Sequence, residues 1–492
     1  MTEGGRAHRL ILRGGLSAGG GLAVRLGARI VFLAIAAQLF GAALFGAFSL
    51  AVAVIELATA IAGLGMKRYL FRLLEEPGER RQTHVFLDTV VLVTLAGLVL
   101  GSAIAGAALA LPATVLAPQT AAALLFVAPL VAGQALLDLF LAATRWKHRM
   151  RYEVVARSLV EPYVGLAATV AAWFAGFEAS GLVVGYAAGT LAALAYAAVG
   201  VRRSFGSLGL LHYRLRPGSL LATLRPTAVP TTTDMTAAFF GRADIYLVGV
   251  LLGEAPAGVY AMARQLRTPI RQARQAFDSL LTPIVARTLS ADGPAATAAA
   301  IATATRMILA VQLALVVTVI ALGRPALDWF GGEFASAYLA LLLLAVAETV
   351  QGAFSVSDLL LLYLRARLAL WVVVAMIGVN LATLVPMIDA WGIDGAAVSV
   401  LLATAAGALL RRWLLATRFG LTTPLLQSAG PLVAAVPATA AAIAVHVAIP
   451  LHAAPAVHLG ALAGVLALYG AGLVVWQRAS GQSLKLTGFR AA

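Results

Sequence analysis

The chain has 492 residues, 61% of them apolar and only 12% charged, with a mean hydropathy of +0.92. Soluble domains carry about 25% charged residues, so a water-soluble globule is excluded and a polytopic membrane protein is expected. The absence of cysteine rules out disulfides, thiolate metal sites and cysteine nucleophiles. A net charge of +15 would suggest nucleic acid as a partner of a soluble protein; here its placement between apolar runs follows membrane topology, and no nucleic-acid partner is expected.

The basic start, with Arg6, Arg9 and Arg13, precedes an apolar run of spanning length. That order reads as a retained first helix with a cytoplasmic N-terminus, not as a cleaved leader. Apolar stretches of about 20 residues predict helices near 18–40, 46–66, 84–111, 119–143, 158–176, 180–201, 227–252, 257–285, 300–322, 335–362, 368–388, 393–410, 428–449 and 457–476. The expected fold is therefore all-α with about fourteen spans. Most of the 36 Lys and Arg fall in the N-terminus, the even-numbered connections and the C-terminal tail. Examples are Lys67, Arg68, Arg72, Arg80 and Arg81, or Arg145, Lys147, Arg149 and Arg151, whereas Arg324 falls in a connection on the other side. By the positive-inside rule both termini are cytoplasmic.

The eighth stretch is too polar to insert alone. Treating it as a surface helix would invert everything downstream and place Arg365, Arg367, Arg411, Arg412 and Arg418 outside, so it is read as a span. Its inserted partner is the equally polar seventh helix, with Asp234, Arg242 and Asp244. Within the eighth, Arg264, Arg267, Arg271 and Arg274 step by 3, 4, 3 and share one face of a single predicted helix. Each such charge costs about 2.5 to 3.5 kcal/mol in hydrocarbon on insertion scales, so this face must line a wet cavity or meet an anion.

An internal repeat links the halves. Phe40, Gly41, four residues, Gly46, any residue and Phe48 is matched by Leu252, Gly253, four residues, Gly258, any residue and Tyr260, 212 positions later; Gly181 and Gly395 echo it at offset 214. Spans 1–6 (residues 1–201) and 7–12 (227–418) are thus expected to be parallel repeats about a central cleft, joined by a cytoplasmic linker (202–226). Spans 13 and 14 with a basic tail (419–492) are appended.

The segments "LFGAALFGAFSLAVAVIELATAIAGLGMKRYLFR", "GRADIYLVGVLLGEAPAGVYAMARQL", "LLTPIVAR" and "WGIDGAAVSVLLA" resemble the oligosaccharide flippases of the multidrug, oligosaccharidyl-lipid and polysaccharide exporter superfamily. The likeness extends over nearly the whole chain. It implies two six-helix lobes, alternating access, and an undecaprenyl-pyrophosphate-linked oligosaccharide turned from the inner to the outer leaflet of a bacterial inner membrane. It also implies a non-enzymatic protein without cofactor, whose partners are the lipid-linked oligosaccharide, membrane lipids, and the polysaccharide polymerase and chain-length machinery of such a pathway. Arginines of the first helix and the central cavity are implicated in binding pyrophosphate in these flippases, and Arg25 and Arg29 occupy the corresponding stretch.

Arginine suits this cargo because its fork donates paired, charge-assisted hydrogen bonds to phosphate and stays charged when buried. Candidate substrate-binding residues are Arg25, Arg29, Arg242, Arg264, Arg267 and Arg271, and the Arg264–Arg274 face would extend about 15 Å at 1.5 Å per residue. Against this, Arg25, Arg29, Arg274 and Arg306 could simply snorkel to lipid phosphates, and Arg242 could form a structural pair with an acid of another helix. Glu56, Asp234, Asp244 and Glu348 are intramembrane acids that either compensate these charges or couple transport to an ion gradient. Glu348, Gln351, Ser355 and Asp358 form a polar stripe on the tenth helix, while Asp138 and Asp358 lie close to cytoplasmic ends. Two other readings compete: a cation-coupled multidrug antiporter of the same superfamily, which needs a net acidic cavity, and a membrane polymerase or ligase, which needs an outer loop larger than any predicted here.

Overall fold

The computed structural model describes the backbone of residues 3–75, 79–206, 213, 217–277, 293–421 and 429–480, and the side chains within them except those of residues 3–26, 28, 68, 79–81, 293–301, 359, 363 and 366. Among these residues every regular element is helical. The described residues hold nine helices long and apolar enough to cross a membrane, or eleven if two bent pairs each count as one span. The all-helical membrane protein is found, although this count does not reach fourteen. Two of the runs are double. Arg29–Ala62 is broken at Gly41, where the expected first and second spans meet, and Arg367–Phe419 is broken at Trp391 and Gly392, between the expected eleventh and twelfth. The polar eighth stretch is not among the apolar runs, and its residues 278–285 lie outside the described ones.

Packing divides the chain into two compact units, Met1–Gly258 and Val259–Ala492. The first holds α1 (Glu3–Ala62), α2 (Met66–Leu74), α3 (Glu79–Ala110), α4 (Pro118–Val127), α5 (Leu130–Trp146), α6 (Arg151–Val155), α7 (Glu161–Phe174), α8 (Gly181–Phe205), α9 (Pro217–Leu224), α10 (Ala228–Phe240), α11 (Ala243–Leu252) and the start of α12 (Glu254–Leu266). Proline punctuates it: α4 and α5 meet at Pro129 with a bend of 48°, because proline removes a helical N–H and crowds the preceding turn. Around α1 pack α3, α4, α5, α10 and α11, with Ile55, Met66, Leu70, Leu74 and Phe86 in the shared core. Lipid offers apolar side chains no reason to leave it, so close backbone approach through small residues holds such helices together. A Cβ on Gly189 would collide with the Glu161 carbonyl oxygen of α7, and one on Gly185 with the side chain of Thr169. The linker is tied down as well: buried Asp88 of α3 accepts hydrogen bonds from Tyr213 Oη (2.6 Å) and Ser219 Oγ. Burial and the Asp88 carboxylate push the Tyr213 phenol above its ordinary range, keeping it a donor.

The second unit contains the rest of α12, a helical run α13 (268–277), α14 (Gly293–Phe330), α15 (Tyr338–Ala353), α16 (Ser355–Phe419), α17 (Gly430–Ala448) and α18 (Pro455–Ser480). Leu313, Val317, Ala438 and Val465 form the core that α14 shares with α17 and α18. Tyr469 of α18 donates its hydroxyl to the Ala310 carbonyl of α14 at 3.0 Å, so the two last helices are packed parts of this unit.

The repeat has a backbone counterpart. Gly41 and Gly253 adopt nearly the same conformation, φ 69 and ψ 176 against φ 96 and ψ −177, a region open essentially to glycine. Five residues later the second glycines meet. A Cβ on Gly46 would collide with the Glu254 carbonyl oxygen, and one on Gly258 with that of Ala42, so the two motifs cross reciprocally. Glu254 adds a side-chain tie, its Oε1 accepting from Thr120 N (2.8 Å) and Thr120 Oγ1 (2.6 Å) at the N-terminus of α4, where the helix dipole favours an anion.

Gly46→Ala and Gly258→Ala should each destabilise the protein despite alanine's better helix propensity, since overpacking against backbone costs about 1–3 kcal/mol and propensity returns at most about 1 kcal/mol. Gly106→Ala, which meets nothing within 4 Å, should be neutral or stabilising. Melting temperatures of the purified variants check this; equal melting of all three would contradict the close crossing.

Candidate functional site

The arginine stripe follows a broken path. α12 ends at Leu266, Arg267 is a turn residue, and helix resumes at 268, so the expected single helix is interrupted in the middle of its charged face. Pro269 explains the break, since it can give no N–H to the 265 carbonyl and its ring crowds the turn before it. Continuity survives through hydrogen bonds from Arg267 N to Ala263 O (3.1 Å) and from Arg271 N to Arg267 O (3.4 Å). Arg264, Arg271 and Arg274 are half-buried and Arg267 is buried, which no arginine facing bulk lipid could tolerate unpartnered.

Arg267 meets the tenth-span acid. Its Nη1 lies 3.7 Å from Glu348 Oε1, with side-chain exposures of 10% and 5%. That separation binds the pair by charge but exceeds hydrogen-bond range, and both Arg267 Nε and Glu348 Oε2 are buried without hydrogen-bond partners. Gln312 of α14, fully buried, closes the site by donating Nε2 to the Ile270 carbonyl and to the Glu348 carbonyl, both at 3.2 Å. Its Oε1 is likewise without a partner. Gly352 makes room for it: a Cβ there would collide with the Gln312 amide.

Further along, the polar stripe of the tenth span is split between two helices by the turn at Phe354. Asp358 pairs with Arg411 Nε, and Arg411 Nη2 also contacts Met376 Sδ at 3.1 Å. Arg411 was expected in a cytoplasmic connection, yet its side chain is only 3% exposed. α16 simply continues past the apolar run that marks the twelfth span. Arg274 stands within electrostatic reach of Arg411. Arg306 is buried, donates to Ala302 O and Thr303 Oγ1, and stands 5.9 Å from the Trp476 ring.

In the first unit, Arg242 caps the start of α11 at a 47° bend and pairs with Glu56 of α1. Both partners keep exposure, 30% and 42%, so the charge remains reachable. Asp244 is buried and accepts from the Ile245 N–H at 2.9 Å. Arg29 and Asp234 are half-buried, and both make polar, ionic or ring contacts. The side chain of Arg25 lies outside the described residues. A second network was not foreseen. Asp138 of α5 joins Lys67 Nζ at 3.3 Å and Arg157, while Arg157 also meets Glu161 at 2.8 Å. Arg157 stands in a π-helical segment, Ala156–Val160, a distortion common at functional places. Beside it Gln134 Nε2 donates to Tyr186 Oη (3.2 Å) and Thr190 Oγ1 (2.8 Å). Counting basic residues by connection assigned Arg157 to a loop; the only available signal was its four-residue spacing from Glu161.

Among the described residues, Arg267 stands beside Glu348 and Arg242 beside Glu56, carboxylates that an incoming anion could replace. Known proteins place it in context. The family model described as "Polysaccharide biosynthesis protein" matches residues 11–289, more than half of the chain, while no curated protein matches it in sequence. Among solved structures, a lipid II flippase MurJ in an inward closed conformation is similar with a TM-score of 0.76 at 12% identity, covering 94% of this chain and 99% of that one. An inward-facing multidrug resistance MATE transporter of the MOP superfamily follows with a TM-score of 0.65 at 12% identity, covering 81% and 98%. A MOP-superfamily transporter from Pyrococcus furiosus, described as having a binding pocket of reversed polarity, gives 0.54 at 13% identity, covering 83% and 93%. With its polar, arginine-bearing spans set in this multi-pass transporter fold, the chain belongs to the polysaccharide biosynthesis protein family.

Proposed function

We propose that the protein flips an undecaprenyl-pyrophosphate-linked oligosaccharide from the inner to the outer leaflet of the bacterial inner membrane, for cell-surface polysaccharide synthesis. It acts by alternating access and catalyses no covalent chemistry. The repeat-related lobes, residues 1–201 and 227–418, are its moving halves, and both termini are cytoplasmic. The observation that carries this reading is the concentration of arginine at Arg264, Arg267 and Arg271, half-buried or buried in a chain otherwise built to live in lipid. A cation cargo would be repelled by such a face, whereas a pyrophosphate supplies the counter-charge it needs.

In the proposed cycle the headgroup replaces its lost water with guanidinium forks. Arg25, Arg29, Arg242, Arg264, Arg267 and Arg271 are the proposed phosphate-binding residues. Glu56 and Glu348 neutralise Arg242 and Arg267 while no anion is bound, and Asp234 and Asp244 moderate the remaining positive field. The glycan follows the headgroup, and the polyprenyl tail stays in the bilayer. A polymerase and chain-length machinery would receive the product on the outer side.

Arg271→Ala should lower surface-polysaccharide export at least tenfold with normal abundance in the membrane. Arg267→Ala alone would strand a buried carboxylate at a cost of about 3–5 kcal/mol, so it is tested together with Glu348→Gln and should also lose export. Arg324→Ala, at an exposed position, should export normally. Polysaccharide on the cell surface is the readout, and unchanged export in the first two variants would reject the anion-binding role. A charge swap, Glu56→Arg with Arg242→Glu, should restore part of the stability lost in either single change but not export, because the cation has moved to another helix; full export by the swapped pair would show that Arg242 is structural only.

A further inference from the structure

A second polar patch lies within the first unit, inside segments long and apolar enough to cross a membrane. Asp138 of α5 accepts from Lys67 Nζ of α2 at 3.3 Å and from Arg157 Nη2, and Arg157 Nη1 reaches Glu161 Oε2 of α7 at 2.8 Å. Asp138, Arg157 and Glu161 keep side-chain exposures of 26%, 29% and 24%. Ions so exposed within spans require water beside them, since leaving them in hydrocarbon is costly. α8 supplies the neighbouring wall. Gly189 packs so close to α7 that a Cβ there would collide with the Glu161 carbonyl oxygen, and about one turn away the Tyr186 hydroxyl stands within electrostatic reach of Glu161 and Arg157. Gln134 ties this wall to α5 by donating to Tyr186 Oη and Thr190 Oγ1.

Two features separate this patch from an anion site. Its charge is balanced, Lys67 and Arg157 against Asp138 and Glu161, and Glu56, also within reach of Tyr186, is matched by Arg242; such a surface favours neither anion nor cation. Its hydrogen-bonding capacity is of both kinds. Tyr186 Oη accepts from Gln134 and keeps its own O–H to donate. The Lys67 ammonium has three donors and gives one to Asp138, while Arg157 engages Glu161 through Oε2 and leaves Oε1 as an acceptor. A phosphate oxygen wants donors alone, whereas a sugar hydroxyl donates and accepts at once. The rings of Tyr186 and Phe48, edge to face at 6.0 Å and both half-buried, add an apolar surface suited to the C–H face of a sugar ring.

We infer that this patch binds a sugar residue of the cargo: Glu161 and Asp138 accept from its hydroxyls, Tyr186 and Lys67 donate to them, and its apolar face lies on the Tyr186 ring. The inference deepens the flippase reading and rests on it, giving the glycan a site of its own beside the arginines that take the pyrophosphate. Arg157 is a positioning residue. Its two Nη atoms fix one carboxylate each, from a π-helical segment, Ala156–Val160, of the kind that departs from regular helix at functional places. Carboxylates held in place before binding lose little freedom on binding. A network tight among its own members thus still serves a ligand, through the lone pairs and protons it leaves over.

The test compares two probes on the full-length protein in lipid nanodiscs by native mass spectrometry: undecaprenyl pyrophosphate, and the same lipid carrying the repeat-unit oligosaccharide of the host. Wild type should bind the glycosylated lipid about tenfold or more tighter than the bare one. Tyr186→Phe, which keeps the ring and removes one donor, should reduce that ratio about three- to tenfold. Glu161→Ala should abolish most of it, and in both variants affinity for the bare lipid should persist. Arg157→Lys keeps the charge but cannot fork two carboxylates, and should lose part of the ratio likewise. Arg271→Ala should weaken both lipids alike and preserve the ratio. A wild-type ratio near one, a ratio unchanged in Tyr186→Phe and Glu161→Ala, or a proportionate fall of both affinities in those two variants overturns the inference and leaves the pyrophosphate site standing. If wild type binds neither lipid, the flippase reading and the inference fall together.

Discussion

A guanidinium cannot be neutralised by giving up its proton, so an arginine carried into hydrocarbon must find an anion or water, and everything else in this protein accommodates that demand. Within each compact unit several of the described arginines pair with carboxylates. Arg267 is matched by Glu348, Arg411 by Asp358, Arg242 by Glu56 and Arg157 by Asp138 and Glu161. These pairs differ in a way that matters. Arg411 and Arg157 make close contacts, as structural charges do. Arg267 and Glu348 stand at 3.7 Å, beyond hydrogen-bond range. A tight buried pair costs several kcal/mol to separate, whereas a loose one has spent less and is more easily exchanged.

Glycine and proline determine where those charges stand. Gly41 and Gly253 turn the chain in the same unusual conformation, and Gly46 and Gly258 let the two turns cross at backbone distance. Pro269 opens α12 at Arg267 and so takes that side chain out of a regular helical face. The bends at Pro129 and at Gly241–Arg242 act similarly on α5 and α11. In a bilayer, irregular backbone survives only beside other protein or a wet cavity, which is where such breaks are tolerated.

Much of this was legible from residue spacing. The repeat offset of 212 residues pointed to Gly41 and Gly253 as counterparts, and their dihedral angles match. The 3, 4, 3 stripe drew attention to Arg267 and its neighbours, but the helix under it breaks, a consequence of Pro269 that periodicity alone does not weigh. Arg157 and Arg411 escaped because helices were ended where apolar runs end, whereas α7 is preceded by a helical stretch from Arg151 and α16 runs on to Phe419. Pairings such as Glu56 with Arg242, almost two hundred residues apart, leave no trace in local sequence. They are properties of packing, and only coordinates reveal them.

The account stands or falls on whether the Arg264–Arg274 face meets water and anion inside the membrane. Because the chain has no cysteine, single cysteines at positions 264, 267 and 271 can be titrated in intact membranes with a small charged thiol reagent, with and without pyrophosphate. The account predicts labelling at these positions, slowed by pyrophosphate, and none at a lipid-facing control such as Val99, which is 67% exposed. Failure to label the three positions, or labelling indifferent to pyrophosphate, would contradict it.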